Sequence, residues 1–191
     1  MSHPYQFNRA ISRRPGASVV KGLRAGGGPD PSLEGVLAEH AAYVAALEAA
    51  GLAVTLLDPL EDFPDAIFVE DPALVFPDCA ILLNPGTESR AGEGAFLRPT
   101  LAAMFETVLD LPEGHADGGV YKGYRVLEIP AGEEAGANVL RVNDTILAGS
   151  RFPRILDLLD GHGAKVVCLE NSEIEKIDAG FTCMSLRWFG G

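Results

Sequence analysis

Residues 47–70 read "LEAAGLAVTLLDPLEDFPDAIFVE" and residues 159–183 read "LDGHGAKVVCLENSEIEKIDAGFTC". Both follow one plan. A helix end meets a glycine, Gly51 or Gly163. A short apolar strand follows, then an acidic loop, then Asp-Ala-x-Phe-x before Glu70 or Cys183. Asp58 to Asp65 has the spacing of Asp110 to Asp117, and Glu170 to Asp178 is one residue longer, so "DGGVYK" (117–122) is a third candidate for the same loop. A repeated supersecondary unit cannot bury its apolar face alone and stacks on its copies. Around an axis, equivalent loops converge on one point, where a radial fold builds its site. The expectation is a radial fold of repeated units in one domain, residues 1–191, with the equivalent loops meeting at one site.

The surrounding elements agree with that plan. A helix is expected over Asp30–Ala50, capped by Asp30, with Pro31 in its first turn and Gly51 at its end. Leu33, Leu37, His40, Val44 and Leu47 would form its buried stripe, with His40 a packed rather than a catalytic histidine. Strands are expected at Ala53–Leu57, Cys79–Leu83, "VLDL" and "KVVCL". "NVLRV" and "TILAG" flank Asn143-Asp144 as a tight hairpin. Two more helices are expected, near Pro99–Thr107 and Pro153–Leu159, with "NPGTESRAGEG" a loop.

The 191 residues carry a net charge of −12, a hydrophobic fraction of 47% and a mean hydropathy of +0.14. The charge speaks against nucleic acid and anionic lipid as partners and permits a cationic small molecule. No apolar run is long enough to span a bilayer, and no signal segment is recognisable. Cys79, Cys168 and Cys183 include no CxxC pair, which fits a reducing cytoplasm. The four histidines are scattered, so neither a metal nor another cofactor is expected.

Cys183 is the thiol of interest. Read as a strand, "FTCMSLRW" puts Phe181, Cys183, Ser185 and Arg187 on one polar face and Thr182, Met184, Leu186 and Trp188 on an apolar one. Cys79 and Cys168, inside apolar strands, read as core. Taken alone, Cys183 is either a packed thiol or a nucleophile. "FPDAIFVEDP" crowds Asp65, Glu70 and Asp71 among Phe63, Ile67, Phe68 and Val69. Carboxylates so close repel unless solvent or a cation neutralises them. Anchored by the interleaved apolar residues, they suit a planar guanidinium. Arg90 could hold a carboxylate at the other end of such a ligand, or be a surface arginine.

"FPDAIFVEDPAL", "NPGTESRAGE", "GANVLRVNDTIL" with "FPR" close behind, and "IDAGFTCMSLRW" together resemble the dimethylarginine dimethylaminohydrolases of the guanidine-modifying (pentein) superfamily. The resemblance runs from about Phe7 to Trp188 and implies an α/β propeller of ββαβ units, shortened relative to the family's five blades, hydrolysing methylated arginine to citrulline. It implies that Cys183 attacks the guanidinium carbon, that Asp71 binds guanidinium nitrogens with Glu70 beside it, and that Arg90 grips the α-carboxylate. Asp65 and the carbonyls of Leu23 and Ile177 would take the substrate's amino end. The family's mid-chain acidic-Gly-Gly-Asp motif survives only in part, as Asp117, Gly118 and Gly119 followed by Val120. Asp117 joins Cys183 in the implied catalytic set. Past Val120 the text resembles the family's late region, so an internal segment larger than one unit is absent near there, and with it the His-Leu-Lys histidine and a second substrate arginine. Neither His115 nor His162 matches a family position. Losing a positioned acid–base group typically costs about two to four orders of magnitude in rate. The readings left are therefore an impaired hydrolase, a guanidinium-binding relic without turnover, or an internally deleted form of a longer enzyme. A lost blade would expose strand edges through which two copies could pair as a homodimer.

Overall fold

The computed structural model describes residues 4–24, 28–111 and 127–190. In chain order, β1 (Arg9–Arg13) precedes α1 (Leu33–Ala49), β2 (Ala53–Leu57), β3 (Ala73–Val75), β4 (Cys79–Leu82), α2 (Glu93–Met104) and β5 (Thr107–Asp110). Then come β6 (Leu140–Val142), β7 (Thr145–Gly149), α3 (Pro153–Leu159), β8 (Lys165–Leu169), α4 (Ser172–Glu175) and β9 (Leu186–Trp188).

One pattern organises the three sheets: a middle strand pairs antiparallel on one side and parallel on the other. Thus β3 runs antiparallel to β4 and β5 parallel to it, with Ile81 opposite Leu74 and Leu109. In the same way β6 and β8 flank β7, with Leu147 opposite Leu140 and Val167. A parallel neighbour needs a crossover, which α2 and α3 supply. The remaining sheet is stitched from far-apart parts of the chain. β9 pairs antiparallel with β1, Leu186 opposite Ile11, and α1 carries the chain over to β2, parallel to β1. Asn8 ties the junction, its Nδ2 donating to the Gly190 carbonyl at 2.7 Å and its Oδ1 accepting from the Gly190 N–H at 2.8 Å. These are ββαβ units of the expected kind, and the two repeated segments fall at equivalent places, across β2 and β8 and the loops after them. The third candidate loop, with Asp117 and Val120, lies outside the described residues.

The apolar face of α1 seals the main core. Val36, Tyr43 and Leu47 pack with Ala10, Leu147, Phe181 and Met184. A second cluster joins Ile11, Leu97, Leu101, Leu186 and Trp188, and a third gathers Ile146, Phe152 and Ile155. The first unit's middle strand thus feeds two cores, Ala10 facing one and Ile11 the other.

Several expectations need correction. Ser32 rather than Asp30 caps α1, its Oγ accepting the Gly35 N–H at 3.0 Å. The buried face runs Val36, His40, Tyr43, Leu47, and Leu37 is 43% exposed. Alanines on every side of α1 hid the true stripe. Helix α2 starts at Glu93, so part of the expected loop is helical and Pro99 sits inside it. It ends at Met104, where Phe105 turns inward against Trp188, ring centroids 4.9 Å apart. Cys168 is exposed and Cys79 half-buried, because β8 and the start of β4 are incompletely covered. The hairpin at Asn143 forms as read, with Asn143 at φ 52°. Among the described residues no helix is long and apolar enough to cross a membrane, and no group of His, Cys, Asp and Glu could hold a metal ion.

Candidate active site

Cys183 sits in a turn, not in a strand, since β9 begins only at Leu186. The reason lies in its backbone. Five consecutive carbonyls, from Phe181 to Ser185, are taken by donors outside any ladder. The Tyr43 phenol donates to the Phe181 carbonyl at 2.8 Å. Arg187 Nη1 donates to the Thr182 carbonyl at 3.2 Å and the Ser185 carbonyl at 2.6 Å. The Glu70 N–H reaches the Cys183 carbonyl at 3.2 Å, and the Ser12 hydroxyl the Met184 carbonyl at 2.8 Å. The Thr182 N–H in turn donates to Asn138 Oδ1 at 3.1 Å. Buried carbonyls must find partners, and each partner here fixes the turn further. Phe181, assigned to the polar face, is instead 1% exposed and stacked on Tyr43, ring centroids 6.0 Å apart.

Behind the turn, His40 Nε2 meets Ser12 Oγ at 3.0 Å. The hydroxyl's proton goes to Met184, so Nε2 is the protonated nitrogen of a neutral ring. Burial, helped by the charge of Arg14, pushes His40 down to about 4. It is a packed support for the backbone, as the sequence suggested.

The acidic loop approaches from the other side. Ile67, Phe68 and Val69 are buried, so the loop is anchored and its acids are held in place. Asp65 is 4% exposed, and its Oδ1 accepts the Leu23 N–H at 2.9 Å. A side chain on Gly22 would lie 3.0 Å from that oxygen and 3.4 Å from Ile177 Cγ2. Leu23, Asp65 and Ile177 therefore gather around one backbone segment.

Glu70 follows, held to the Cys183 turn through its N–H. Burial raises its pKa, the Arg187 charge pulls it down, and Asp71 adds to the rise. Asp71 is half-exposed and ion-paired with Arg90 Nη1. Arg90 itself is 6% exposed. Its Nε and Nη2 bind Glu93 at 2.7 and 2.9 Å, and Nη2 also donates to the Phe68 carbonyl at 3.0 Å. One N–H of Nη1 is left after these bonds.

Sequence reading missed Tyr43, Ser12, Asn138, Glu93 and the role of Arg187. Two signals were present: Asn138 lies inside "GANVLR", and Arg187 shares the alternation of Cys183 and Ser185. Asp117 and His115 fall outside the described residues. A cleft of ≈ 400 Å³ beside α2, lined by Leu83, Asn84, Gly92 and Arg98 among others, includes none of the site residues.

No family model matches the chain. It is 27% identical over 253 residues to N(G),N(G)-dimethylarginine dimethylaminohydrolase of Pseudomonas aeruginosa, covering 95% of this chain and all of the relative. An alignment of 253 residues on a chain of 191 leaves at least 62 positions of the relative without a counterpart. The fold matches the cysteine-to-serine variant of that enzyme from Pseudomonas aeruginosa, complexed with citrulline. There the TM-score is 0.87, the identity 27%, and the coverage 96% of this chain and 100% of the other. The N-terminal domain of ArgZ, a cyanobacterial arginine dihydrolase, matches with a TM-score of 0.79 at 15% identity, covering 94% and 96%, a likeness of fold.

Proposed function

We propose that this chain, a homologue of the dimethylarginine dimethylaminohydrolases with the pentein fold, hydrolyses methylated arginine to citrulline and methylamine or dimethylamine. One observation carries the reading: the Glu70 N–H bonds the Cys183 carbonyl, which ties the backbone of the anchored acidic loop to the turn that bears the thiol. A planar cation held by Asp71, with Glu70 alongside, would present its central carbon to Cys183 Sγ. Sulfur attack gives a tetrahedral adduct. The amine leaves with the proton that the thiol gave up, and water displaces sulfur from the thiouronium to yield citrulline, a proton and the free thiol. Asp65 and the carbonyls of Leu23 and Ile177 would take the α-amino group, and the remaining Nη1 N–H of Arg90 the α-carboxylate. Asp117 belongs to the proposed catalytic set. The missing positions are assigned to the junction near Val120. Three free cysteines suit a cytoplasmic location.

A second reading has its own support. The sequence contains no His-Leu-Lys. Without that acid–base group the site would bind a guanidinium amino acid and turn it over slowly or not at all. Citrulline and dimethylamine are to be measured after incubation with asymmetric dimethylarginine, beside Cys183→Ser. Turnover abolished in the variant supports the hydrolase. Binding by calorimetry with no citrulline from either chain supports the relic. Neither binding nor citrulline sinks both.

A further inference from the structure

We infer that Arg187 is a positioning residue for Cys183, its guanidinium clamping the turn that presents the thiol to the acidic loop. This rests on the site reading above. One nitrogen, Nη1, lies within hydrogen-bond distance of the Thr182 carbonyl at 3.2 Å, the Ser185 carbonyl at 2.6 Å and the Ser185 hydroxyl at 2.6 Å. These groups bracket Cys183. The side chain arises from β9, where Arg187 stands opposite Ala10, so the clamp is mounted on a paired strand rather than on the turn itself. Its Nε is buried and has no acceptor among the described residues. An orphaned buried N–H is costly, so the three Nη1 contacts hold the guanidinium in place against the unmet Nε. The shared hydroxyl extends the clamp: Ser185 Oγ lies 2.5 Å from the Tyr43 phenol, which holds the Phe181 carbonyl. Arg187 and Tyr43 thus grip both ends of one turn. The clamped turn also meets the acidic loop, since the Cys183 carbonyl accepts the Glu70 N–H at 3.2 Å, and the Arg187 charge offsets in part the rise that burial gives the Glu70 carboxyl.

The test compares two alkylating agents of similar size, chloroacetamidine, a cation, and iodoacetamide, which is neutral. Rates are read at the Cys183 peptide by mass spectrometry, and the exposed Cys168 is the internal standard. In the parent chain the cation-to-neutral rate ratio at Cys183 should exceed that at Cys168, because the site reading sets the acidic loop's carboxylates against the thiol. Arg187→Met should lower the Cys183 ratio about tenfold, while Arg187→Lys, which keeps the charge but loses the planar fork, should fall in between. Where turnover is measurable, kcat should drop with KM within about threefold. A Cys183 ratio that stays within twofold, or rises because a positive charge has gone, overturns the assignment. Should Arg187→Met fail to fold by thermal melt, Arg187→Gln carries the same comparison. A parent ratio equal at both cysteines overturns the site reading and this assignment with it. A parent preference that survives in Arg187→Met overturns the assignment alone.

Discussion

The loops 65–71 and 178–185 are two copies of one phrase put to opposite uses. In each, an arginine from a following element reaches back to hold the turn. Arg90 binds the Phe68 carbonyl and two carboxylates, Asp71 and Glu93. Arg187 binds carbonyls and a hydroxyl. The equivalent phenylalanine carbonyls show the same divergence, Phe68 held by a guanidinium and Phe181 by a phenol. At the third position of the phrase, Ile67 fills core in one copy, while Gly180 in the other is pressed under Asn138. A common backbone plan thus yields one loop that presents charge and one that presents sulfur, and the difference lies in who fixes the turn.

The sharpest way to break this contrast is Arg90→Met. It strands Glu93, 2% exposed, without its bidentate partner. Removing one member of a buried pair costs about 3–5 kcal/mol. Urea unfolding should show that loss, and Arg187→Met should show less, because it strands neutral carbonyls rather than a buried charge. Equal losses would erase the distinction between the arginines.

His40 offers a pH test of the thiol loop's support. Its folded value of about 4 lies below the usual 6.5, so between those values only the unfolded chain binds the proton. Stability should fall as pH drops from 6.5 towards 4, by roughly 3 kcal/mol in all. His40→Gln should flatten that part of the curve. An unchanged slope would assign the acid sensitivity to other groups.

Gly180→Ala puts a methyl carbon 2.1 Å from Asn138 Cγ. Overpacking of this kind costs about 1–3 kcal/mol. Adding Asn138→Ala should recover part of the melting temperature, although the Thr182 N–H loses its acceptor. A neutral Gly180→Ala would mean that the two copies accept the same residue there.

The smallest effect is expected from Tyr43→Phe, about 1 kcal/mol in denaturant unfolding. It frees the Phe181 carbonyl and leaves Arg187 as the remaining clamp on Ser185. A larger loss at Tyr43 than at Gly180 would reverse this ranking of supports.

Much of this was visible in the sequence. The repeat, the anchored acidic loop and the helices near Leu33 and Pro153 follow from local signals: glycine ends, apolar alternation and turn residues. The supports of the thiol were hidden. Tyr43 is 138 positions from Phe181, and Ser12 is 172 from Met184. Nothing local marks such pairs, and a tyrosine or serine on an apolar face reads as core until its partner is known. The strand reading of Cys183 failed for the same reason, because alternation continued through residues whose carbonyls were already committed elsewhere.

The sheet that joins Ile11 to Leu186 also governs when the site can exist. Closing so long a span of chain is entropically slow, and its contacts come late in folding. On the ribosome, β1, α1 and the acidic loop emerge long before β9, so the acidic loop waits without its sulfur until Cys183 is made. The thiol thereby arrives after the acidic loop it would serve, and a chain interrupted upstream of Leu186 carries an acidic loop with no assembled nucleophile.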